Sequence, residues 1–116
     1  MKLILLFLFL STSCFAKEKE GFLDFRDYSL KLCLTTNYKE LGIELNDASK
    51  LSENHSVEEI YDLMNFVTQK TNEFHKKKYI IHMEERKDVI ANDIFLQCIN
   101  FYKSKELSDF IEKLEK

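Results

Sequence analysis

Three cysteines, three histidines and two pairs of adjacent acids are the side chains in this sequence with the most chemistry to offer. A catalytic nucleophile needs a base beside it and a third group to orient that base. His55, His75 and His82 fall beside a helix start, at a helix end and in a connector. Their spacing fits no common metal pattern, and no carboxylate partner is legible along the chain, so they read as ordinary surface histidines. Glu58–Glu59 and Glu84–Glu85 are paired only in sequence, because neighbours on a helix point to different sides. There is no C-x-x-C, no H-x-x-x-H and no glycine loop to cradle a phosphate. No catalytic, cofactor-binding or metal-binding residue is assigned, and the chain reads as a binding protein rather than an enzyme.

The cysteines take their meaning from the compartment. Lys2, the apolar run Leu3 to Leu10, and the small residues Ser11, Thr12, Ser13 and Ala16 have the form of a signal peptide covering residues 1–16. The run is too short to span a bilayer, and no later stretch is long and apolar enough to do so. Cleavage is expected between Ala16 and Lys17, where the chain turns abruptly charged. A lipoprotein with Cys14 as the modified residue fits less well, because Ser11 stands where a large aliphatic residue is wanted. The 17–116 segment is then one domain, with Cys33 and Cys98 as its two cysteines. In an oxidising compartment such a pair reads as a disulfide, and the chain-entropy model credits so long a loop with roughly 4 kcal/mol. Two free buried thiols are the alternative. Removing Lys2 takes the net charge from −3 to −4. That balance, with the export signal, argues against nucleic-acid binding.

The elements that position these residues are read as helices. The chain holds no proline and only two glycines, so strand punctuation is absent. Apolar spacing predicts helices from about Leu23 to Thr36, from Ser56 to Phe74 and from Val89 to Tyr102. A last helix, capped by Ser104, carries Leu107, Phe110, Ile111 and Leu114. Ser56 and Glu59 form a capping box. A short helix near Asp47 to Leu51, capped by Asn46, fits within the polar stretch Asn37 to Asn54. Lys76, Lys77 and Lys78 read as a solvated helix end. Tyr79 to Asp88 reads as a connector. The expected fold is all-α, a small bundle of four to five helices stapled by Cys33–Cys98.

Two local patterns go beyond composition: Arg26-Asp27-Tyr28-Ser29-Leu30-Lys31-Leu32-Cys33, and Cys98-Ile99-Asn100-Phe101-Tyr102-Lys103-Ser104-Lys105-Glu106-Leu107. Together they resemble the type VI secretion amidase immunity proteins, specifically the fourth amidase–immunity pairing. The resemblance runs from about Phe25 to Leu114. It implies a periplasmic, all-helical homodimer with a bridge between Cys33 and Cys98. It also implies a partner, a secreted papain-like cysteine amidase that cuts peptidoglycan, bound at its cleft in a heterotetramer, with no cofactor. The motif positions carried over are Arg26, Asp27, Tyr28, Phe101, Tyr102, Ser104, Glu106 and Leu107. The blocking surface would include Tyr79, Ile80, Ile81, His82, Met83, Glu84 and Glu85, with part of the helix Ser56 to Phe74. In the family this connector is often rich in glycine and serine; here it is not.

A connector braced by disulfide-linked helices is preorganised, so less ordering entropy is lost on docking. Tyr79, Ile80, Ile81 and Met83 are large enough to fill a cleft. The alternative is that they cover the bundle's own core. Two other functions stay in view: a periplasmic helical chaperone or envelope-stress protein, and a small hydrolase using histidine chemistry.

Overall fold

The computed structural model describes residues 21–52, 54–84 and 87–116. The signal segment Met1 to Ala16, Cys14, and Glu85 of the connector lie outside the described residues.

Asp24 opens the first helix, α1 (Phe25–Glu40), by accepting the Asp27 N–H at 2.7 Å. Its buried line is Phe25, Ser29, Cys33 and Asn37, spaced four apart. Two of these four are polar, so apolar spacing alone does not trace the inward face. Gly42, at φ +79°, turns the chain away after α1, and the Ile43 N–H bonds back to the Tyr38 carbonyl at 3.0 Å. The helix runs four residues past the expected Thr36 because Asn37 is satisfied inside the fold.

The expected short helix at Asp47 to Leu51 is absent. Asp47 Oδ1 takes the Ser49 N–H at 2.7 Å, a local bond that competes with helix formation. Lys31 Nζ donates to the carbonyls of Asp47 at 2.9 Å and Ser49 at 2.5 Å. The chain then runs as a short strand, β2 (Lys50–Leu51), parallel to β1 (Phe22–Leu23).

The capping box is present at the start of α2 (Val57–Thr71): Ser56 Oγ accepts the Glu59 N–H at 3.1 Å, and Glu59 accepts the Ser56 N–H at 3.0 Å. These bonds to Ser56 hold the Glu59 carboxyl below its ordinary pKa, so their stabilisation is complete above that value and is lost as the pH falls through the lower folded one. A single 3-10 turn, Phe74–Lys76, follows.

The third helix is shorter than expected. Val89 to Ala91 form β4, paired antiparallel with β3 (Tyr79–Ile81), and α3 is Ile94–Tyr102. Val89 and Ile90 fit the helical spacing of Ile94 and Cys98 as well as they fit a strand. Pairing with Tyr79-Ile80-Ile81 decides between the two, and Asn92 Oδ1 accepts the Ile94 N–H at 3.1 Å where the helix starts. Ser104 caps α4 (Lys105–Leu114) through the Leu107 N–H. The fold is thus dominated by four helices among the described residues, with two minor two-stranded ribbons.

α1 is central and lies against both α2 and α3. Phe25, Leu63, Val67, Phe101 and Leu107 form one core, with Phe66 and Phe110 stacked at 4.0 Å on its edge. Cys33, Ile94 and Cys98 form a second, with Leu30, Leu34 and Tyr38 around it. Phe74 touches both. The disulfide Cys33–Cys98 sits fully buried in the second core, with Cα atoms 5.8 Å apart.

Candidate functional site

The expected connector is a β-hairpin. Its register pairs Tyr79 with Ala91, Ile80 with Ile90 and Ile81 with Val89. Side chains alternate faces along a strand, so Ile80 and Ile90 share one face and Tyr79, Ile81 and Val89 the other. Ile80 is 66% exposed and Ile90 72%, and Tyr79, Ile81, Met83 and Val89 are also exposed. These residues therefore do not cover the bundle's own core. In the first turn of α3, Phe95 and Leu96 are also more than half exposed. A two-stranded ribbon with apolar side chains on both faces is marginal alone in water and marks an interaction surface.

Fixings at the base hold it. The Tyr79 hydroxyl donates to Asp93 Oδ2 at 2.8 Å, and Lys77 Nζ lies 5.5 Å from the Tyr79 ring centroid. Side-chain hydrogen bonding with Tyr79, and after it the charges of Tyr79 and Asp93, raises the Lys77 pKa. Gln97 Nε2 donates to Asp93 Oδ1 at 2.5 Å and to the Phe74 carbonyl at 3.1 Å. Next toward the tip, His82 Nδ1 lies 2.9 Å from Asp88 Oδ1, a carboxylate partner that sequence spacing did not reveal. Both groups are exposed, so the pair adds little stability. Glu84 stands in the turn.

The motif residues sit elsewhere, at the joint between α1, α3 and α4. The Arg26 guanidinium donates to the Tyr102 carbonyl and to Ser108 Oγ, closing the C-terminus of α3. The Tyr102 hydroxyl donates to Asp27 Oδ1 at 2.9 Å. Phe101 and Leu107 are in the first core with Tyr28 beside them. Ser104 is the α4 cap, and Glu106 pairs with Lys70 of α2 at 2.8 Å. These positions hold the frame that carries the hairpin.

The bond to Asp27, with burial second, raises the Tyr102 phenol above its ordinary pKa. The folded state thus keeps this proton more tightly than the unfolded chain. The contribution is complete below the unfolded value and is lost as the pH rises through the folded one, above about pH 10. Tyr102→Phe is expected to cost about 1 kcal/mol at neutral pH and to flatten the alkaline fall in stability, which urea denaturation across both ranges would measure.

The other histidines have structural neighbours. The His55 ring lies 3.9 Å from that of Phe25. The His75 backbone N–H donates to Asn37 Oδ1 at 3.0 Å, and its Nδ1 is 3.2 Å from the same oxygen. Among the described residues, no three His, Cys, Asp or Glu side chains are grouped to hold a metal ion, and no helix is long and apolar enough to cross a membrane. An open groove of about 580 Å³ lies between α1 and the segment 45–49, lined by Leu23, Leu30, Leu34 and Leu45.

Asn37 escaped sequence reading. It is fully buried, and its Nδ2 donates to the carbonyls of Cys33 at 2.8 Å and Thr71 at 2.9 Å. One side chain thereby ties α1 to the end of α2 and to the turn below the hairpin. The only sequence signal was an asparagine four residues after an inward-facing cysteine.

These features define a class: a small helical domain, stapled by one disulfide, that holds an apolar β-hairpin out into solvent. Compared with known proteins, the chain matches no protein-family model, no curated protein and no solved structure.

Proposed function

We propose that this protein is a periplasmic immunity protein that binds a secreted papain-like peptidoglycan amidase and blocks its cleft with the hairpin Tyr79–Ala91. The observation that carries the proposal is the hairpin itself, apolar on both faces, exposed and fastened at its base to a disulfide-stapled frame. The resemblance in Arg26 to Cys33 and Cys98 to Leu107 supplies the enzyme class. A narrow apolar projection suits a cleft better than a flat surface, and its anchorage reduces the entropy lost on docking. Ile80 and Ile90 are the anchors, because a few central, fully desolvated side chains dominate most interfaces. His82, Asp88 and Glu84 provide the polar rim. The reading includes a homodimer, joined by the enzyme into a heterotetramer, which sedimentation would resolve.

The test looks for a papain-like peptidoglycan amidase encoded beside this gene and measures its hydrolysis of peptidoglycan. An equimolar amount of the protein should abolish hydrolysis. Ile80→Asp with Ile90→Asp should weaken inhibition at least about a hundredfold. Both side chains are largely in solvent, so stability should move by less than about 1 kcal/mol. An amidase that keeps full activity with the intact protein in excess would reject the proposal.

The same exposed apolar surface favours a second reading, a periplasmic chaperone. Suppression of aggregation of several unrelated unfolded proteins, lost in the same double variant, would favour it.

A further inference from the structure

We infer that the hairpin is a conditional surface, ordered only once Cys33 and Cys98 are joined, so that the protein becomes competent to bind only after export. The relevance to inhibition rests on the proposed function; the coupling itself does not.

α3 is nine residues long and is held at two ends by different means. Its C-terminal end is held by Phe101 in the first core and by Arg26 on the Tyr102 carbonyl. Its N-terminal half is held by Ile94 and Cys98, which pack on Cys33 with the partly buried Leu30, Leu34, Tyr38 and Phe74 around them. The hydrogen bonds that fix the hairpin base use that N-terminal half or the turn beside it, Asp93 for Tyr79 and Gln97 for Asp93 and Phe74, and the remaining contact, Lys77 on the Tyr79 ring, ties the hairpin only to its own entry. Little else restrains the hairpin, since both of its faces are in solvent. A two-stranded ribbon without such support does not persist. Before the bridge forms, the first core still gathers α1, α2, α4 and the end of α3, while the first turn of α3 is free to fray.

The switch is an ordinary thiol–disulfide exchange. One cysteine thiolate attacks a disulfide of an oxidant protein in the export compartment, releasing one thiol. The second cysteine displaces the mixed disulfide and releases the other. The Cys33–Cys98 bond forms, the two cysteine thiols lose two electrons and two protons, and the oxidant disulfide becomes a dithiol.

Amide hydrogen exchange on the purified, signal-cleaved protein tests this, comparing the oxidised form with Cys33→Ala/Cys98→Ala and with Cys33→Val/Cys98→Ala, which refills the vacated volume. The expected result in both variants is that amides of β3, β4 and the first turn of α3 lose all measurable protection, while those of Leu63 and Val67 in α2 stay protected at a level lowered by the global loss of stability. Equal loss across all elements, including complete unfolding of both variants, would overturn the inference, as would a hairpin that keeps its protection. Inhibition of the amidase that survives a frayed hairpin would instead count against the hairpin as the blocking surface and leave the coupling standing.

Discussion

Cys33→Ala combined with Cys98→Ala is expected to lower the unfolding free energy by about 4 kcal/mol. The bridge spans a sequence separation of 65 residues. Closing so long a loop removes many conformations from the unfolded chain, and each doubling of loop length adds only about 0.6 kcal/mol, so the figure is insensitive to details of the ensemble. Both sulfurs are fully buried beside Ile94. Truncation therefore also removes packed atoms, and the loss should not fall far below the entropic figure. Domains of this size are typically stable by about 5–15 kcal/mol, so the variant should remain folded but close to the threshold. In urea the midpoint should fall by about 2 M, with an altered slope if the unfolded chain expands when the link is removed. A midpoint within about 0.3 M of the oxidised protein would mean that the unfolded chain is already compact around these two positions, and the entropic account would fail.

Asn37→Leu is expected to cost about 3 kcal/mol, although it replaces a polar residue in the interior with an apolar one of similar size. The side chain donates to the Thr71 and Cys33 carbonyls and accepts from the His75 N–H. The described residues contain no buried side-chain nitrogen or oxygen without a partner. Leucine would orphan the Thr71 carbonyl and the His75 N–H together, and an unpaired buried polar group costs more than the hydrogen bond contributed. Asn37→Asp separates this explanation from shape. The isosteric carboxylate would face two carbonyl oxygens in a buried site, so its folded pKa should rise and the neutral acid should be preferred. Stability of that variant should then recover as the pH falls, opposite in sign to the loss expected at Glu59. Urea denaturation at about pH 4 and about pH 7 would read the difference. An Asn37→Leu protein as stable as the parent would show that the Asn37 network contributes nothing net.

Signals that act within a few residues were legible in the sequence. The Ser56–Glu59 box and the Ser104 cap are each complete within one helical turn, and both stand as read. So does the amphipathic stripe of α4, whose Leu107 is buried with Phe110, Ile111 and Leu114 against the core. The Cys33–Cys98 bridge was also legible, because two cysteines after an export-like leader leave one pairing. Together with the apolar spacing of the other helices they led to the expected bundle of four to five helices and one staple, of which the short helix at Asp47 to Leu51 is absent.

What the chain could not specify locally was decided by partners distant in sequence. Ile90, Ile94, Cys98 and Phe101 keep helical spacing throughout, yet Ile90 pairs with Ile80 in a strand, ten residues away. No local preference separates those outcomes for a β-branched residue; the presence of a matching strand does. Asn37 turned inward because Thr71 and His75 offered it partners, and Asp47 left the helix for Ser49 and Lys31. The exposure of Tyr79, Ile80, Ile81 and Met83 was likewise fixed only in three dimensions. Apolar residues in a connector face inward or outward according to whether the core has room, and here Phe74, Ile94 and the disulfide already fill it. Sequence thus determined the helices, their caps and the staple, because those depend on residues a turn apart or on the lack of any other pairing. The tertiary structure alone decided that the segment between α2 and α3 stands out in solvent as a hairpin.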